Sequence, residues 1–302
     1  IQTAAMTGSA ATGVSGRTLH SLLGSPTMDA TKVQQQSRKK QHEVHRNLAD
    51  VKVLFIDEVS LIDCAMLAAI DWSLRTAKRV QALANPPAFG GVHIIFLGDF
   101  HQLPPIGARG LLYDAMASGQ GDNFAWIAKG RQLWTGVKTV IRLEEQMRQS
   151  DDGYLRMLMH VREGKVDTAD KALLRSCMAN ATKFKQLPKE WHDAPMAVPR
   201  NPVRTHLNLK DILAKGRARG ETVLIAAAVD EEGKGQKPLT SNERRTLRRL
   251  ADNKTESLPA LLPLLKGEKY VLKRTEQPNG AEFGLVNGAE CVLEDIILDE
   301  RE

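Results

Sequence analysis

Two short apolar runs, each ending in polar residues, are the clearest pattern along the chain. Residues 51–56 are apolar except for one lysine, and the run stops at Asp57 and Glu58. Residues 92–97 form a second run, which stops at Gly98-Asp99. Runs of this length are typical of strands buried on both faces of a parallel sheet. We therefore predict an α/β fold in which the polar ends of the two strands lie side by side.

Helical patterns separate and follow these strands. Asp63 is a candidate N-cap for a helix that runs to about Arg79, with apolar residues three and four positions apart. Residues 151–180 repeat apolar side chains at the same spacing, which predicts a helical connector. The pattern of residues 137–143, VKTVIRL, predicts a further strand between these helices.

The C-terminal third carries a second set of strand patterns. A sheet-forming region is predicted to begin near Pro195, ahead of a helix that follows Arg200 and Asn201. The strand-like segments KYVLKR and ECVLEDIIL lie near the end of the chain, with an Asn-Gly turn signal between them. We therefore expect three parts: a first domain over residues 1–150, a helical connector over 151–194, and a partial second domain over 195–302.

Small and polar residues dominate the first fifty positions. Residues 3–16 read TAAMTGSAATGVSG and lead into the segment RTLHS. One interpretation is a strand-to-helix loop whose amides and hydroxyls contact phosphates and sugars, and the other is a flexible loop with no such role. Residues 25–50 are polar and basic without apolar periodicity, so we expect a surface excursion with one exposed helix.

Composition limits the class of protein and its partners. The 302 residues are 42% hydrophobic and 26% charged, and no apolar stretch has the length of a membrane span. The start has neither the basic region nor the apolar core of a signal peptide, so we expect a soluble, intracellular protein. The three cysteines form no CxxC pair, which argues against a zinc site or a disulfide framework. A net charge of +6 permits a polyanionic partner.

The acids after the first strand are the strongest candidates for chemistry. Ligands bind at the carboxyl ends of strands in open α/β sheets. There Asp57 can hold Mg²⁺ while Glu58 orients a nucleophilic water, as in a Walker B strand. Gln102 can offer its amide to a terminal phosphate, and Arg148 can reach a phosphate across a domain boundary. The plainer explanations are solvated acids at a strand end and an arginine paired with a neighbouring glutamate.

Five segments, taken together and in order, resemble a known set: TGSAATGVSGRTLHS, VLFIDEVSLID, FGGVHIIFLGDFHQLPP, LEEQMRQ and GLVNG. They are similar to the helicases of the RecD-like branch of superfamily one. The match is to the petite-integration-frequency (PIF) family, including the related helicase domains of Helitron-type transposons. GDFHQLPP combined with the DE strand is the most specific element, and GLVNG is the least specific.

The resemblance implies a P-loop NTPase motor of two RecA-like domains, of which this chain carries a parallel sheet flanked by helices and part of the second domain. Such a motor binds ATP and Mg²⁺, moves 5′ to 3′ on single-stranded DNA and opens duplex junctions. The resemblance implies that Asp57 holds the metal, Glu58 polarises water, Gln102 senses the terminal phosphate and Arg148 is the arginine finger, with Asp99 also at the nucleotide. The implied DNA path comprises Thr7, Gly8, Thr18, His20, Arg200 and Asn201.

Two parts of the family pattern are not found among the 302 residues. The later elements, including one that carries a second phosphate-contacting arginine, are expected after Glu302. The other missing part is the phosphate loop, a glycine-rich turn closed by Gly-Lys-Ser or Gly-Lys-Thr. Gly-Lys occurs at Gly164-Lys165 and Gly233-Lys234, but neither pair is followed by Ser or Thr. We therefore expect the loop just before Ile1, so that the sequence is a fragment. Without those amides and that lysine, the fragment is expected to bind ATP poorly.

Three functions are compatible with these observations. The first is an ATP-dependent DNA helicase acting in DNA repair, recombination, telomere maintenance or transposon replication, in the nucleus or the mitochondrion. The second is a catalytically inactive DNA-binding remnant of a transposon-derived helicase. The third is another P-loop ATPase that does not unwind DNA. The resemblance favours the first.

Overall fold

The computed structural model of the chain divides into two units, Ile1–Met178 and Ala179–Glu302. The structure describes residues 1–25, 29–107, 110–114, 122–178, 191, 194–229, 231–232, 237–248, 250, 254–255, 258–273 and 285–298. Residues 151–178, which we predicted as part of a connector, belong to the first unit. The domain boundaries at residues 150 and 194 stay a prediction.

A parallel sheet of four strands lies at the centre of the first unit. Its strands are β1 (Gln2–Ala5), β2 (Arg17–Thr18), β3 (Val53–Asp57) and β4 (His93–Phe96). The spatial order is β2-β1-β3-β4, and every neighbouring pair is parallel. The register sets Ala5 beside Asp57 and Ile56 beside Phe96. The predicted adjacency of the two apolar runs is therefore confirmed.

The described part of the first unit also contains eight α-helices. They are α1 (Gly8–Gly13), α2 (Leu19–Leu22), α3 (Ala30–Gln34), α4 (Arg38–Leu48), α5 (Cys64–Ala77), α6 (Asp122–Thr135), α7 (Asp152–Glu163) and α8 (Thr168–Cys177). The Asp63 carboxylate caps α5 by accepting a 2.7 Å hydrogen bond from the Met66 N–H. The predicted helix after β3 is thus confirmed, with its end at Ala77.

The core of the first unit forms between β3 and α5. Leu54 and Ile56 are fully buried, whereas Val53 and Phe55 on the opposite face are half-buried. We expected both faces to be buried. The described residues therefore cover one face of β3 more completely than the other. The closely packed face joins Leu67, Ile70 and Leu74 of α5 in one cluster.

The first fifty residues contain more regular structure than their composition predicted. Residues 3–16, expected to be a loop, contain most of β1 and all of α1. The polar segment 25–50 contains two helices, and α4 buries Val44 and Leu48. These two residues are four apart and so share one helical face. The prediction of a surface excursion with one exposed helix was therefore wrong.

The strand predicted at residues 137–143 is absent from the structure. These residues are described, and none of them belongs to a helix or a strand. Val140, Ile141 and Leu143 are 86%, 82% and 87% exposed. A strand needs a hydrogen-bonding neighbour, and no described strand pairs with this segment. The apolar pattern was therefore insufficient to predict its local structure.

The predicted helical stretch 151–180 forms two helices instead of one. Gly164 ends α7 in the left-handed conformation, with φ 70°, where glycine is favoured. The Asp167 carboxylate then caps α8, and Asp170 completes a reciprocal capping box. The break therefore follows from local cap chemistry that the apolar spacing alone does not contain.

The second unit contains two helices and three strand pairs in its described part. Its elements are α9 (Asn201–Arg219), β5 (Leu224–Ala227), β6 (Glu231–Glu232), β7 (Lys237–Pro238), α10 (Ser241–Leu247), β8 (Leu261–Leu264), β9 (Lys269–Val271) and β10 (Glu290–Val292). β5 pairs with β8, β6 with β7 and β9 with β10, all antiparallel.

Two strand predictions in this unit had different outcomes. The segments KYVLKR and ECVLEDIIL form the paired strands β9 and β10, which confirms that prediction. Their Asn287-Gly288 signal does form a turn, with Gly288 at φ 95°. By contrast, residues 194–198 near Pro195 form no strand. No helix in the described ranges is long and apolar enough to cross a membrane.

Candidate functional site

The carboxyl end of β3 is strained at the position of the second acid. Glu58 has φ 56° and ψ 47°, the left-handed conformation, and its N–H donates a 2.8 Å hydrogen bond to the Asp57 carboxylate. This conformation costs a residue with a Cβ about 1 kcal/mol. It turns the chain sharply from β3 into a short 3₁₀ turn, Val59–Leu61. Strain of this kind concentrates at functional sites, so Glu58 is a candidate for function as well as for structure.

The ends of β3 and β4 are joined by backbone hydrogen bonds. Leu97 N–H donates to the Ile56 carbonyl at 2.8 Å, and Val59 N–H donates to the Leu97 carbonyl at 2.9 Å. Gly98 follows with φ 145°, and a Cβ at that position would lie 2.8 Å from the Val59 nitrogen. Glycine therefore permits the close approach that holds the two polar strand ends together.

A loop of five residues, 99–103, follows this glycine and is held by its first member. The Asp99 carboxylate accepts two hydrogen bonds from the Arg162 guanidinium, one of them at 2.7 Å from Nη2 to Oδ1. It also accepts the His101 N–H at 3.0 Å, and the Asp99 carbonyl accepts the Gln102 N–H at 3.0 Å. The hydrogen bond from Arg162 holds the pKa of Asp99 well below its usual value. Asp99 is therefore ionised and fully engaged.

A cavity of about 490 Å³ lies where the two strand ends meet. Its lining residues are Thr7, Glu58, Ser60, Leu61, His101, Gln102 and Leu103. Two of the residues predicted for nucleotide chemistry, Glu58 and Gln102, are thus brought to one cavity with Thr7 from the predicted DNA path. Asp99, which we expected at the nucleotide, contacts Arg162 and does not line the cavity.

Ser60 is a lining residue that sequence reasoning missed. It is 3% exposed, and its hydroxyl has no hydrogen-bond partner in the part of the chain that the structure describes. Leaving a buried hydroxyl unpaired costs about 1–3 kcal/mol, so such groups are uncommon unless a ligand or water serves them. Its place two residues after Glu58 was the available signal. Ser60 is therefore a candidate for contact with a polar ligand or a bound water.

The donor set at the end of β3 is compatible with Mg²⁺. This ion prefers a small number of carboxylate oxygens, completed by water and by phosphate oxygens of a bound nucleotide. Asp57 offers a half-buried carboxylate of the required type at the strand end. One of its oxygens accepts the Glu58 N–H, which fixes the direction of the group. Asp57, which is not among the residues that line the cavity, therefore supplies one ligand of the kind that Mg²⁺ takes.

The predicted DNA-path residues of the first unit lie at helix starts. Thr7 Oγ1 accepts the Ala10 N–H at 3.3 Å as the N-cap of α1, and Thr18 Oγ1 accepts the Ser21 N–H at 3.2 Å as the N-cap of α2. Gly8 is the first residue of α1. Burial lowers the pKa of His20, which favours its neutral form. Of these four, Thr7 alone lines the cavity.

The predicted arginine finger lies away from these residues. Arg148 is exposed in a segment without helix or strand, and its backbone N–H donates to the Gln146 side chain at 3.0 Å. Within the described ranges its guanidinium has no ion-pair partner, so the alternative pairing with a neighbouring glutamate is not observed. Arg148 belongs to the same unit as Glu58 but does not line the cavity. Its role stays a prediction.

The two predicted DNA-path residues of the second unit lie at the start of α9. Arg200 is the N-cap residue and Asn201 the first helical residue, and both are exposed. The Arg200 side chain makes no capping hydrogen bond. Both side chains are therefore accessible, and their contact with DNA stays a prediction.

Known helicases are similar to this chain in sequence. The family model described as PIF1-like helicase matches residues 1–172. Over 200 residues the chain is 29% identical to the ATP-dependent DNA helicase PIF1 of Saccharomyces cerevisiae (strain YJM789), covering 65% of this chain and 21% of that protein. It is 30% identical over 235 residues to the PIF1 helicase of Emericella nidulans, covering 75% and 28%. The chain thus spans about a quarter of the length of these relatives.

Solved structures of Pif1 helicases share the fold. One, of two coordinating Pif1 helicases at forked double-stranded DNA, has a TM-score of 0.60 at 19% identity and covers 98% of this chain and 61% of that one. Another, Pif1 from Bacteroides with ADP-AlF3 and single-stranded DNA, has a TM-score of 0.53 at 19% identity, with coverage of 98% and 60%. These likenesses confirm the predicted RecA-like α/β fold. Because the family model covers more than half of the residues, the chain belongs to the PIF1-like helicase family.

Proposed function

We propose that this chain is the part of an ATP-dependent 5′-to-3′ DNA helicase that carries the Walker B acids and the phosphate-sensing glutamine. One observation carries the proposal: Glu58 and Gln102, from the ends of two adjacent parallel strands, line a single cavity. The unpaired, buried hydroxyl of Ser60 in the same cavity supports a polar ligand. A nucleotide's terminal phosphates have the required polarity.

In this proposal the two acids have separate roles. Asp57 holds Mg²⁺, which neutralises charge on the phosphates when ATP is bound. Glu58 accepts a proton from the attacking water and orients it. The hydrogen bond from the Glu58 N–H to Asp57 directs that carboxylate, and the left-handed backbone turns the Glu58 side chain into the cavity lining. One strained turn therefore sets the direction of both acids.

Two further residues respond to the nucleotide. Gln102, which lines the same cavity, offers its side-chain amide to the terminal phosphate or to the attacking water. Arg148 acts as an arginine finger, which stabilises charge in the transition state. Since Arg148 is exposed and does not line the cavity, its segment must move for this role to be performed.

Single-stranded DNA and duplex junctions are the proposed partners. Thr7, Gly8, Thr18 and His20 contact the strand on the first unit, and Arg200 and Asn201 contact it on the second. The hydroxyls, amides and one guanidinium in this set suit the sugar-phosphate backbone, so binding tolerates any sequence and weakens with salt. We propose action on nuclear or mitochondrial DNA.

Replacing Glu58 by glutamine tests the chemistry. In the protein that carries this chain, Glu58→Gln is expected to lower DNA-stimulated ATP turnover at least about 100-fold, because the amide cannot accept the proton. ATP and DNA affinities should change less than about twofold. The control variant is Glu163→Gln, which alters an exposed acid at the end of α7. Fluorescence titrations with ATP and with labelled single-stranded DNA measure the two affinities.

The same assay separates the alternatives. Unchanged turnover in Glu58→Gln removes this residue from water activation. A parent protein that binds DNA with no turnover at all supports the inactive remnant. Turnover that DNA does not stimulate supports an ATPase that does not unwind DNA.

A further inference from the structure

We propose that Arg162 is a positioning residue, which holds the loop 99–103 so that Gln102 faces the nucleotide cavity. Arg162 lies in the last turn of α7, 60 residues after Gln102 in the sequence. Its guanidinium donates two hydrogen bonds to the Asp99 carboxylate, a planar pairing that fixes both distance and direction. The inference rests on the proposed role of Gln102 and adds the residue that sets its position.

Aromatic contacts hold the loop at its second residue. The Phe100 ring packs edge-on against Trp134, with centroids 5.6 Å apart, and against Tyr113 at 5.5 Å. Two residues beyond the far end of the loop, Pro105 is buried. Gln102 lies between these anchors, and its own N–H donates to the Asp99 carbonyl. The position of Asp99 is therefore transmitted directly to the backbone of Gln102.

Ion pairs and hydrogen bonds join α7, the helix that carries Arg162, to α8. His160 Nδ1 lies 2.7 Å from a carboxylate oxygen of Asp170, which is fully buried at the start of α8. The same carboxylate accepts the Asp167 N–H at 2.9 Å, and Arg156 lies 3.4 Å from its other oxygen. These contacts fix the last turns of α7 against α8. Arg162 thus extends to Asp99 from a helix whose last turns are joined to α8.

These contacts predict different roles for Asp99 and Gln102. Both carboxylate oxygens of Asp99 already accept hydrogen bonds, from the Arg162 guanidinium and from the His101 N–H. Asp99 therefore supplies position to the loop, and Gln102 supplies the contact with the nucleotide. Without Arg162, Gln102 is still present, but the loop 99–103 loses the ion pair that holds it in position.

Hydrogen exchange on the 302-residue chain tests the positioning without using activity. In Arg162→Gln, the amides of His101 and Gln102 are expected to exchange roughly fivefold faster, since both donate to Asp99. Lys165→Gln is the matched control, because its exposed pair with Glu163 lies at the end of the same helix and does not touch the loop. Unchanged exchange in Arg162→Gln, or an equal increase in the control, would overturn the proposal.

Steady-state kinetics on the protein that carries this chain form the second test. Arg162→Gln is expected to lower kcat for DNA-stimulated ATP hydrolysis about tenfold with KM changed less than about twofold, and Arg162→Lys should recover part of the loss. Asp99→Asn should match Arg162→Gln, and the double variant should be no worse than either single one. Additive losses, or a loss confined to KM, contradict positioning through this pair.

The two proposals can fail separately. If Glu58→Gln abolishes turnover while Arg162→Gln leaves kcat and exchange unchanged, the positioning role is wrong and the proposed function stands. If exchange rises in Arg162→Gln but Glu58→Gln retains full turnover, the loop is held as described and the proposed chemistry is wrong.

Discussion

The loop 99–103 and the segment 137–150 each carry a predicted nucleotide residue, yet the structure holds them very differently. The loop with Gln102 is anchored by the Asp99–Arg162 ion pair and by the ring of Phe100. The segment with Arg148 has no helix or strand, and its apolar residues are exposed. Long-range contacts therefore hold the loop of Gln102, whereas the hydrogen bond described for Arg148 is a local one, from its N–H to the Gln146 side chain. Similar sequence signals do not imply similar preorganisation.

Removing Arg148 is the largest test of this difference. Arg148→Ala is expected to lower DNA-stimulated turnover about 1,000-fold, the usual contribution of an arginine finger, with little change in DNA affinity. Arg142→Ala, in the same exposed segment, is the control and should retain turnover. The measurements are ATPase rates and a DNA titration. If Arg148→Ala weakened DNA binding and spared hydrolysis, Arg148 would belong to the DNA path and would not act on the nucleotide.

The next largest effect is expected on the free energy of unfolding, which a substitution next to the loop should lower more than one in the exposed segment. Trp134 packs on Phe96 and Phe100, so Trp134→Ala should lower the free energy of unfolding by about 2 kcal/mol. Ile141→Ala in the exposed segment should change it by less than about 0.5 kcal/mol, because Ile141 is 82% exposed. Urea unfolding of the 302-residue chain measures both. A larger cost at Ile141 would mean that its segment packs in solution.

The smallest expected effect is the difference in stability between the parent chain and Arg162→Gln, and acid should remove it. The folded-state pKa of Asp99 is depressed, chiefly by the hydrogen bond from Arg162 and further by the His101 N–H. A depressed carboxyl pKa stabilises the fold above the unfolded value of about 3.9, and the effect is lost as pH falls below it towards the folded pKa.

The difference in urea midpoint between the two proteins should therefore be constant above about pH 5 and should shrink below about pH 4. Both partners are partly exposed, so the difference is small throughout. A gap that persisted unchanged at pH 3 would mean that Arg162 stabilises the chain through packing of its stem. In that case the anchoring of the loop would not depend on charge.

Sequence patterns were sufficient where local signals agreed. β3, β4 and α5 follow from two apolar runs and the Asp63 cap, and β9 and β10 follow from two strand-like segments around Asn-Gly. The same reasoning failed at residues 137–143, because a strand exists only with a neighbour to bond. It also underestimated α4, whose two buried residues are few among many polar ones.

The candidate site was only partly predictable for a related reason. Glu58 and Gln102 each follow an apolar run, so their proximity follows from parallel strands meeting at one sheet edge. Ser60 and Arg162 carried no comparable signal. Ser60 is one of many serines in the sequence, and Arg162 is one basic residue among 42. Their places at the site became visible only through burial and contacts.

By itself the sequence determined β3, α5, β4 and the β9–β10 pair, the two acids at the end of β3 and the family motifs, because these depend on residues close together in the chain. Tertiary structure alone decided that Asp99 is bound by Arg162, that Ser60 is buried without a hydrogen-bond partner among the described residues, and that Arg148 stays exposed. Such facts depend on which distant side chains meet. Local propensity contains no term for a contact across 63 residues.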